Sequence, residues 1–368
     1  MIINLKSQTD LSGFYVVFYG STNFEERGIY GISHLMEHLI CKNFEHLRDD
    51  FEKEGIEWNA YTTQNEIVFY FTGLDEYLMK QKYELVELIT DFKVSKEQFE
   101  NERKIILQEY KNHFSDQSNC HLSNLSRKLY KDYDAIGLKE DLETIRYMDC
   151  LNFFEKQFKN PSKIINVSKG QPFKIDVEFS NSEIDKKFEF GPYKDVILEP
   201  TRNYGDKVSI CLTSKTIEDD FSYVIFINNM LTLGLSSPFY SEIREKRGLV
   251  YHIGCHQSRM NDQGVNIIST ETSNKNVELL IDSFKDVMKN PDKFISKKRF
   301  DLVRRSYLIK FQKDKINRFQ NINNWINPTD WSVKEIIKTI NYDKVMDVYD
   351  KYFKFDDFYI SNDRTEFN

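Results

Sequence analysis

Histidine and cysteine are scarce in this chain of 368 residues, seven of the first and five of the second. The cysteines (Cys41, Cys120, Cys150, Cys211 and Cys255) are odd in number and scattered, with no CxxC pair. That excludes a disulfide-stapled scaffold and a cysteine-based zinc ribbon, and reads as free thiols in a reducing compartment. Glycine (14) and proline (7) are few as well, which excludes fibrous and extensively disordered classes. Positive charge is outweighed, with 51 Lys and Arg against 58 Asp and Glu and a net charge of -7. Lacking a basic surface or a Lys/Arg run to neutralise phosphates, the chain is expected to have no nucleic-acid partner. No apolar run approaches the ~20 residues that cross a bilayer, so no membrane association is expected. The first residues, MIINLKSQTD, show neither the basic stretch nor the apolar run of a secretory signal, and a cytoplasmic location is expected.

What the chain has in quantity is apolar and aromatic: 40% hydrophobic residues, 29 Phe and 21 Tyr. That is enough for two domains with separate cores. Strand-like runs FYVVFYG, IEWNAYTT and EIVFYFTG are followed by the helical patterns LDEYLMKQKYELVELITDF and SKEQFENERKIILQEYKNHF, then a strand, KIINVS. The second half repeats the order with KVSICLT, FSYVIFINNMLTLGL, GLVYHIGC, GVNIIST, NKNVELLIDSFKDVM and SKKRFDLVRRSYLIKF. Phe99 to Arg103 in the first half corresponds to Phe300 to Arg304, 201 positions later. The expectation is an α+β protein of two tandem related domains, each a mostly antiparallel sheet covered by helices. We place them at 1–168 and 206–368, with a polar linker at 169–205 containing Pro172, Pro192 and Pro200.

Two of the seven histidines fall close together in GIYGISHLMEHLICKNF, residues 28–44. On a helix, His34 and His38 share one face a turn apart, and Glu37 borders it. Two imidazoles with an adjacent carboxylate suit a catalytic zinc site that keeps an open position. The pattern HxxEH is that of the inverted zincins. Chance alone produces it in about one such chain in a hundred, so context has to decide. A second helix supplies some: Phe99, Glu102, Ile106, Glu109 and His113 step by 3 and 4 and form a stripe. Carboxylates on an inward stripe call for a cation, although a differently phased helix would leave them in solvent. At the matching positions the second half has Val303 and Lys310, so one metal ion per chain is expected at most. The segment YHIGCH (His252, Cys255, His256) reads as a strand in which alternation separates the side chains, not as a second metal site.

HLMEH followed by a helix of the form ERxxxxxE resembles the M16 family of zinc metallopeptidases. The resemblance implies that His34, His38 and Glu109 bind Zn2+, that Glu37 is the general base, and that Glu102 supports the site without binding the metal. His38 and Glu109 are 71 positions apart, slightly closer than is usual in the family. The stretch EWNAYTTQNEIVFYF is similar to the family's strand pair, which implies substrate contact at Asn59 and Ala60, with Tyr61 nearby. LGLSSPFYSEIREKRGLVYHIG is similar to the second-domain signature, which implies that Arg244 and Tyr251 reach the substrate.

The resemblance covers nearly the whole chain and implies a zinc endopeptidase acting on flexible or unfolded peptides inside a chamber. In the family that chamber has four such domains. The implication for a two-domain chain is half of a clamshell, completed as a homodimer in which Arg244 and Tyr251 serve the partner's site. A heterodimer with a related subunit is the other arrangement. The competing function is a catalytically silent, peptide-binding or scaffolding subunit, a kind of member that typically loses motif residues.

Overall fold

The computed structural model describes residues 1–130, 134–180, 195–197, 205–260, 263–316, 322, 326 and 333–363. They form an α+β protein with two five-stranded sheets. In the first, β1 (Ile2–Lys6), β2 (Leu11–Tyr19), β3 (Glu57–Thr62), β4 (Glu66–Leu74) and β5 (Lys163–Ser168) lie in the order β1-β5-β2-β4-β3. The second, with β6 (Asp195–Ile197), β7 (Lys207–Ile217), β8 (Ile253–Met260), β9 (Gln263–Ser273) and β10 (Tyr359–Asn362), has the order β6-β10-β7-β9-β8. The two orders are the same when strands are matched one to one. In each sheet one edge pair, β1 with β5 and β6 with β10, is parallel and every other pair is antiparallel. Two domains of one topology are therefore present.

Sequence pattern explains the strands. The run FYVVF in β2 is buried on both faces, as the centre of a sheet requires, and β-branched and aromatic side chains fill it. β3 is an edge strand joined to β4 by a tight turn, where the Thr63 hydroxyl accepts from the backbone N–H of Asn65 and Glu66. Against the inner face of this sheet pack α1 (Ile32–Cys41), α3 (Asp75–Ile89) and α4 (Lys96–His113), with α2 (Arg48–Glu54) between α1 and β3. Leu35, Met36, Leu39 and Ile40 of α1 are fully buried in that core beside Phe69 and Phe71.

The chain forms two compact units: Met1–His113, Tyr133–Asp185 and Arg318–Pro328 in the first, and Phe114–Asp132, Lys186–Asn317 and Thr329–Asn368 in the second. This differs from a single cut between residues 168 and 206, and the reason lies in the outer faces of the sheets. Helix α5 (Gln117–Tyr130) has an apolar stripe, and its Leu125 and Leu129 bury Cys211, Val265 and Ile267 of the second sheet. Ile322 and Ile326 lie among Tyr15, Val17, Val68, Ile165 and Val167 on the outer face of the first. The backbone carbonyl of Ile326 accepts from the Tyr19 hydroxyl and the Lys163 ammonium group. Of the expected linker, Lys169–Ser180 belongs to the first unit, with Phe173 edge-on to Phe14, and Asp195–Ile197 is a strand. Pro192 and Pro200 lie outside the described residues.

Helices α6 (Lys139–Thr144) and α7 (Tyr147–Phe153) add Leu142, Cys150 and Phe153 to the core of the first unit. In the second unit the inner face of the sheet is covered by α8 (Phe221–Thr232), α9 (Val277–Met288) and α11 (Lys297–Ile316), the last preceded by the single-turn α10 (Pro291–Phe294). The helix Tyr342–Tyr352 completes that core. The expected strand GLVYHIGC begins only at Ile253, and Gly248 turns the chain before it with φ +63°. Among the described residues no helix is long and apolar enough to cross a membrane.

Candidate metal centre

The first turn of α1 is built to stop at a fixed place. Gly31 has φ +97°, and a Cβ there would lie 2.8 Å from Leu142 and 3.1 Å from the Cα of Gly137. Only a glycine permits both the backbone conformation and this approach. The Glu25 carboxylate accepts from the backbone N–H of Gly31 at 2.8 Å and of Ser33 at 2.9 Å, placing a negative charge at the helix N-terminus. Helix phase is thereby set, and the side of α1 next to the Leu35 and Leu39 face carries His34, Glu37 and His38.

That face meets α4. Nε2 of His34 lies 3.6 Å from Oε2 of Glu109, and Nε2 of His38 lies 3.7 Å from the same oxygen. The imidazole rings stand edge-to-face with centroids 5.0 Å apart. One ligand atom from each of His34, His38 and Glu109 lies within 4.8 Å of the others, the only such His/Cys/Asp/Glu group among the described residues. Zinc at about 2.0–2.1 Å from its ligands separates them by about 3.3 Å in a tetrahedron, so two nitrogens and an oxygen at these spacings fit the ion. The Nδ1 of His34 is buried without a hydrogen-bond partner among the described residues.

Electrostatics sort the two histidines. Burial, and then the neighbouring His38, lower the pKa of His34 to about 4, so it is neutral and can donate a lone pair. Burial opposes the charged form of His38 too. The bond to Glu102 and the carboxylates of Glu109 and Glu37 outweigh it, and that pKa is raised. His38 Nδ1 is 3.1 Å from Glu102 Oε2, the arrangement that leaves Nε2 free for a metal. Glu102 is 4% exposed, and its other oxygen is 3.0 Å from the Lys42 ammonium group. Burial pushes the Glu102 carboxyl up, but the bonds from His38 and Lys42 prevail and hold it below its usual range.

Glu37 sits beside the cluster, buried, accepting from the Thr62 hydroxyl at 2.5 Å. Burial raises its pKa, against the opposing effect of that hydrogen bond and of His38. A pocket of ≈ 230 Å³ opens from Glu37 and His38 toward Trp58, Asn59 and Ala60 of the β3 edge. Trp58, Ala60 and Thr62 share the face of β3 turned to α1, with Trp58 edge-on to Phe44.

Tyr61 is not brought to this site. Alternation puts it on the other face of β3, where its ring lies 6.4 Å from that of Tyr70 in a cluster with Tyr15 and Tyr19. The Tyr61 ring thus lies on the face of β3 away from Glu37, and any contact with a peptide at this edge would be through its backbone. Arg244, on a π-helical turn at Tyr240–Glu245, and Tyr251 belong to the second unit, where the guanidinium lies 5.0 Å from the Tyr251 ring centre. Tyr251 is 83% exposed. Cys255 is turned into the core, whereas His252 and His256 flank Gly254 on the other face. Lys42 and Thr62 were not singled out by motif. Spacing was the available signal, since Lys42 follows His38 by one helical turn and Thr62 is in phase with Ala60.

Comparison with known proteins identifies the family. Residues 2–136 match the family model "Insulinase (Peptidase family M16)", and residues 152–307 match "Peptidase M16 inactive domain". A Rickettsia felis protein named "Uncharacterized zinc protease" is 24% identical over 366 residues, covering 90% of this chain and 86% of its own. A Bacillus subtilis zinc protease is 22% identical over 286 residues, covering 71% and 68%. A crystal structure of a protease from Helicobacter pylori superposes with a TM-score of 0.83 at 14% identity, covering 98% of this chain and 96% of that one, a likeness of fold. Its two halves each matching a domain of the same family, and its zinc-protease relatives spanning most of its length, the chain belongs to the M16 peptidase family.

Proposed function

We propose that this protein is a zinc-dependent endopeptidase that cleaves flexible or unfolded peptides, with His34, His38 and Glu109 as ligands and Glu37 as general base. The observation that carries this reading is the convergence of three ligand atoms beside a buried, hydrogen-bonded carboxylate. Zinc held there would act as a Lewis acid and bring the pKa of a water toward ~7. Glu37 then accepts the proton of the attacking water and returns it to the leaving amine. Its raised pKa serves the first transfer, and Thr62 fixes the carboxylate for both. His34 stays neutral through burial, and His38 is oriented by Glu102.

Recognition follows from the sheet edge. A peptide added as a strand beyond Asn59 and Ala60 would pass Glu37, and such binding depends on its backbone. Only an extended, unfolded segment offers that backbone, so folded proteins should be poor substrates. We assign Arg244 and Tyr251 to the substrate as well, donated across a homodimer, and the exposure of Tyr251 supports a role toward something outside its own unit. A fully active monomer in sedimentation would refute the donation in trans. The absence of ligands at Val303 and Lys310 supports one zinc ion per chain.

The test compares wild type with Glu37→Gln on a quenched flexible peptide, with zinc content measured in both. The variant should keep zinc and lose about 10²–10⁴-fold in kcat. Equal cleavage by both would remove Glu37 as the base. A zinc-loaded wild type that cleaves none of a panel of flexible peptides would be a silent peptide-binding subunit.

A further inference from the structure

We propose that Lys42 is a positioning residue of the metal centre, its ammonium group locking Glu102 and, through it, the His38 ring in the orientation that turns Nε2 to the ion. This rests on the metal-site reading above. Lys42 is half-buried where α1 ends, one turn beyond His38, and its Nζ is 3.0 Å from Glu102 Oε1. The other oxygen of the same carboxylate, Oε2, is the one 3.1 Å from His38 Nδ1. A carboxylate gripped at one oxygen can still turn about the bond to its chain. Gripped at both by groups on different turns of α1, it has one orientation, and the imidazole bonded to it has one as well.

Burial makes Lys42 hard to replace. Glu102 is 4% exposed, so bulk water has little access to the oxygen that Lys42 holds. From the solvent side Glu45 Oε1 lies 3.4 Å from the same ammonium group and steadies it. The result is a chain of four groups, Glu45, Lys42, Glu102 and His38, running from the surface to the ligand atom. Lys42 lines the pocket that opens from Glu37 and His38, and its ammonium group is paired with Glu102 and Glu45, so the path by which it acts on the His38 ring runs through Glu102. A methylene stem with the charge removed would fill the same volume and leave Oε1 with nothing to hold it.

The experiment measures zinc affinity by competition with a chromogenic chelator at one fixed pH, for wild type, Lys42→Met, Lys42→Arg and Glu45→Gln. Removing a partner of this kind weakens metal binding by about 10-fold or more, which is the loss expected for Lys42→Met. Lys42→Arg, which keeps a cation beside Oε1, should recover most of it, and Glu45→Gln should move affinity by less than about threefold. The zinc-free melting temperature is read in parallel, and Lys42→Met and Lys42→Arg should melt together. Zinc binding by wild type with equal affinity in Lys42→Met would overturn the role of Lys42 and leave the metal site standing. An equal loss in Lys42→Arg, or a loss that follows melting temperature, would also overturn it. A wild type that binds no zinc would instead refute the metal-site reading itself.

Discussion

Helices α1 and α4 of the first unit and α8 and α11 of the second have matching places between matching strands, yet they are joined by opposite means. In the second unit Phe226 packs on Phe300 and stacks on Tyr307, with centroids 5.4 and 5.9 Å apart, and Asn229 donates to the Tyr307 hydroxyl at 2.8 Å. Arg299 closes the end of α8 by donating to the Met230 carbonyl at 2.8 Å. In the first unit the corresponding pair meets through two imidazoles and the carboxylates of Glu102 and Glu109. The same helix pair is thus held well by aromatic packing, so the fold has no need of the charges. Acidic groups gathered at a helix contact raise its energy unless a cation joins them. The contrast supports the proposal that α1 and α4 hold a cation at a contact that α8 and α11 fill by packing.

The strongest way to break that contrast is to give α4 the residue of its counterpart. Glu109→Lys copies Lys310 and puts an ammonium group in place of the proposed ligand oxygen. Zinc should be lost and cleavage should fall by roughly three orders of magnitude or more. Zinc bound at unit stoichiometry in that variant would show that the ligand set has been misassigned. Removing the metal from wild type is the gentler form of the same test. At a zinc concentration 100 times its Kd the ion stabilises the protein by about 2.7 kcal/mol, confined to the part that binds it. Amide exchange at Leu35 and Ile106 should quicken on chelation, while exchange at Phe226 and Val303 stays as it was. Equal quickening in both units would mean that they do not respond separately.

The two histidines offer a finer comparison inside the site. His34, with a pKa lowered to about 4 by burial and by His38, has no proton to lose at neutral pH. His38, whose pKa is raised because the bond to Glu102 and the carboxylates of Glu109 and Glu37 outweigh its burial, takes up its proton at a higher pH than an ordinary imidazole. If His38 is a zinc ligand as proposed, the ion has to displace that proton, so affinity should fall as pH drops through the raised value, by about tenfold per unit. A second proton competes only as the pH nears 4. Zinc titrations below that raised value and above about pH 4 should therefore give a slope of one. A slope of two would mean that His34 is also protonated in the free protein.

How far these features could be read in advance depended on the range of the interactions behind them. Local periodicity was enough for KIINVS, which is β5 residue for residue, and for α4 and α11, whose first residues Lys96 and Lys297 are 201 positions apart like the motif that paired them. It also placed His34, Glu37 and His38 on one face, and Glu102 with Glu109 on another. What local pattern could not reveal was which segment covers the second face of a sheet. Helix α5 follows the ligand helix in sequence but buries Val265 and Ile267, and Ile326 accepts from Tyr19 some 307 positions away. Strands β1 and β10 were missed for the same reason, because short parallel or edge pairings are fixed by partners far along the chain. The orientation of the Tyr61 ring was hidden for another reason. Alternation shows that Tyr61 and Thr62 face opposite ways, but the mixed exposure of β3 does not say which way is toward α1.

Those two neighbours make the smallest and sharpest test. Thr62 donates its hydroxyl to Glu37, the proposed general base, whereas the Tyr61 ring lies with Tyr70 on the far face of the same strand. Thr62→Val keeps the branched shape and removes one hydrogen bond to Glu37, an interaction of about 1 kcal/mol, so kcat/KM should fall about fivefold. Freed of that bond, which lowers its pKa, Glu37 should also take up its proton at a higher pH, and the acid limb of the kcat profile should move upward. Tyr61→Phe removes a hydroxyl that the geometry keeps away from the peptide, and kcat/KM should stay within about twofold. A loss for Tyr61→Phe as large as that for Thr62→Val would show that the substrate reaches both faces of β3, and would return Tyr61 to the binding role its place in EWNAYT implied.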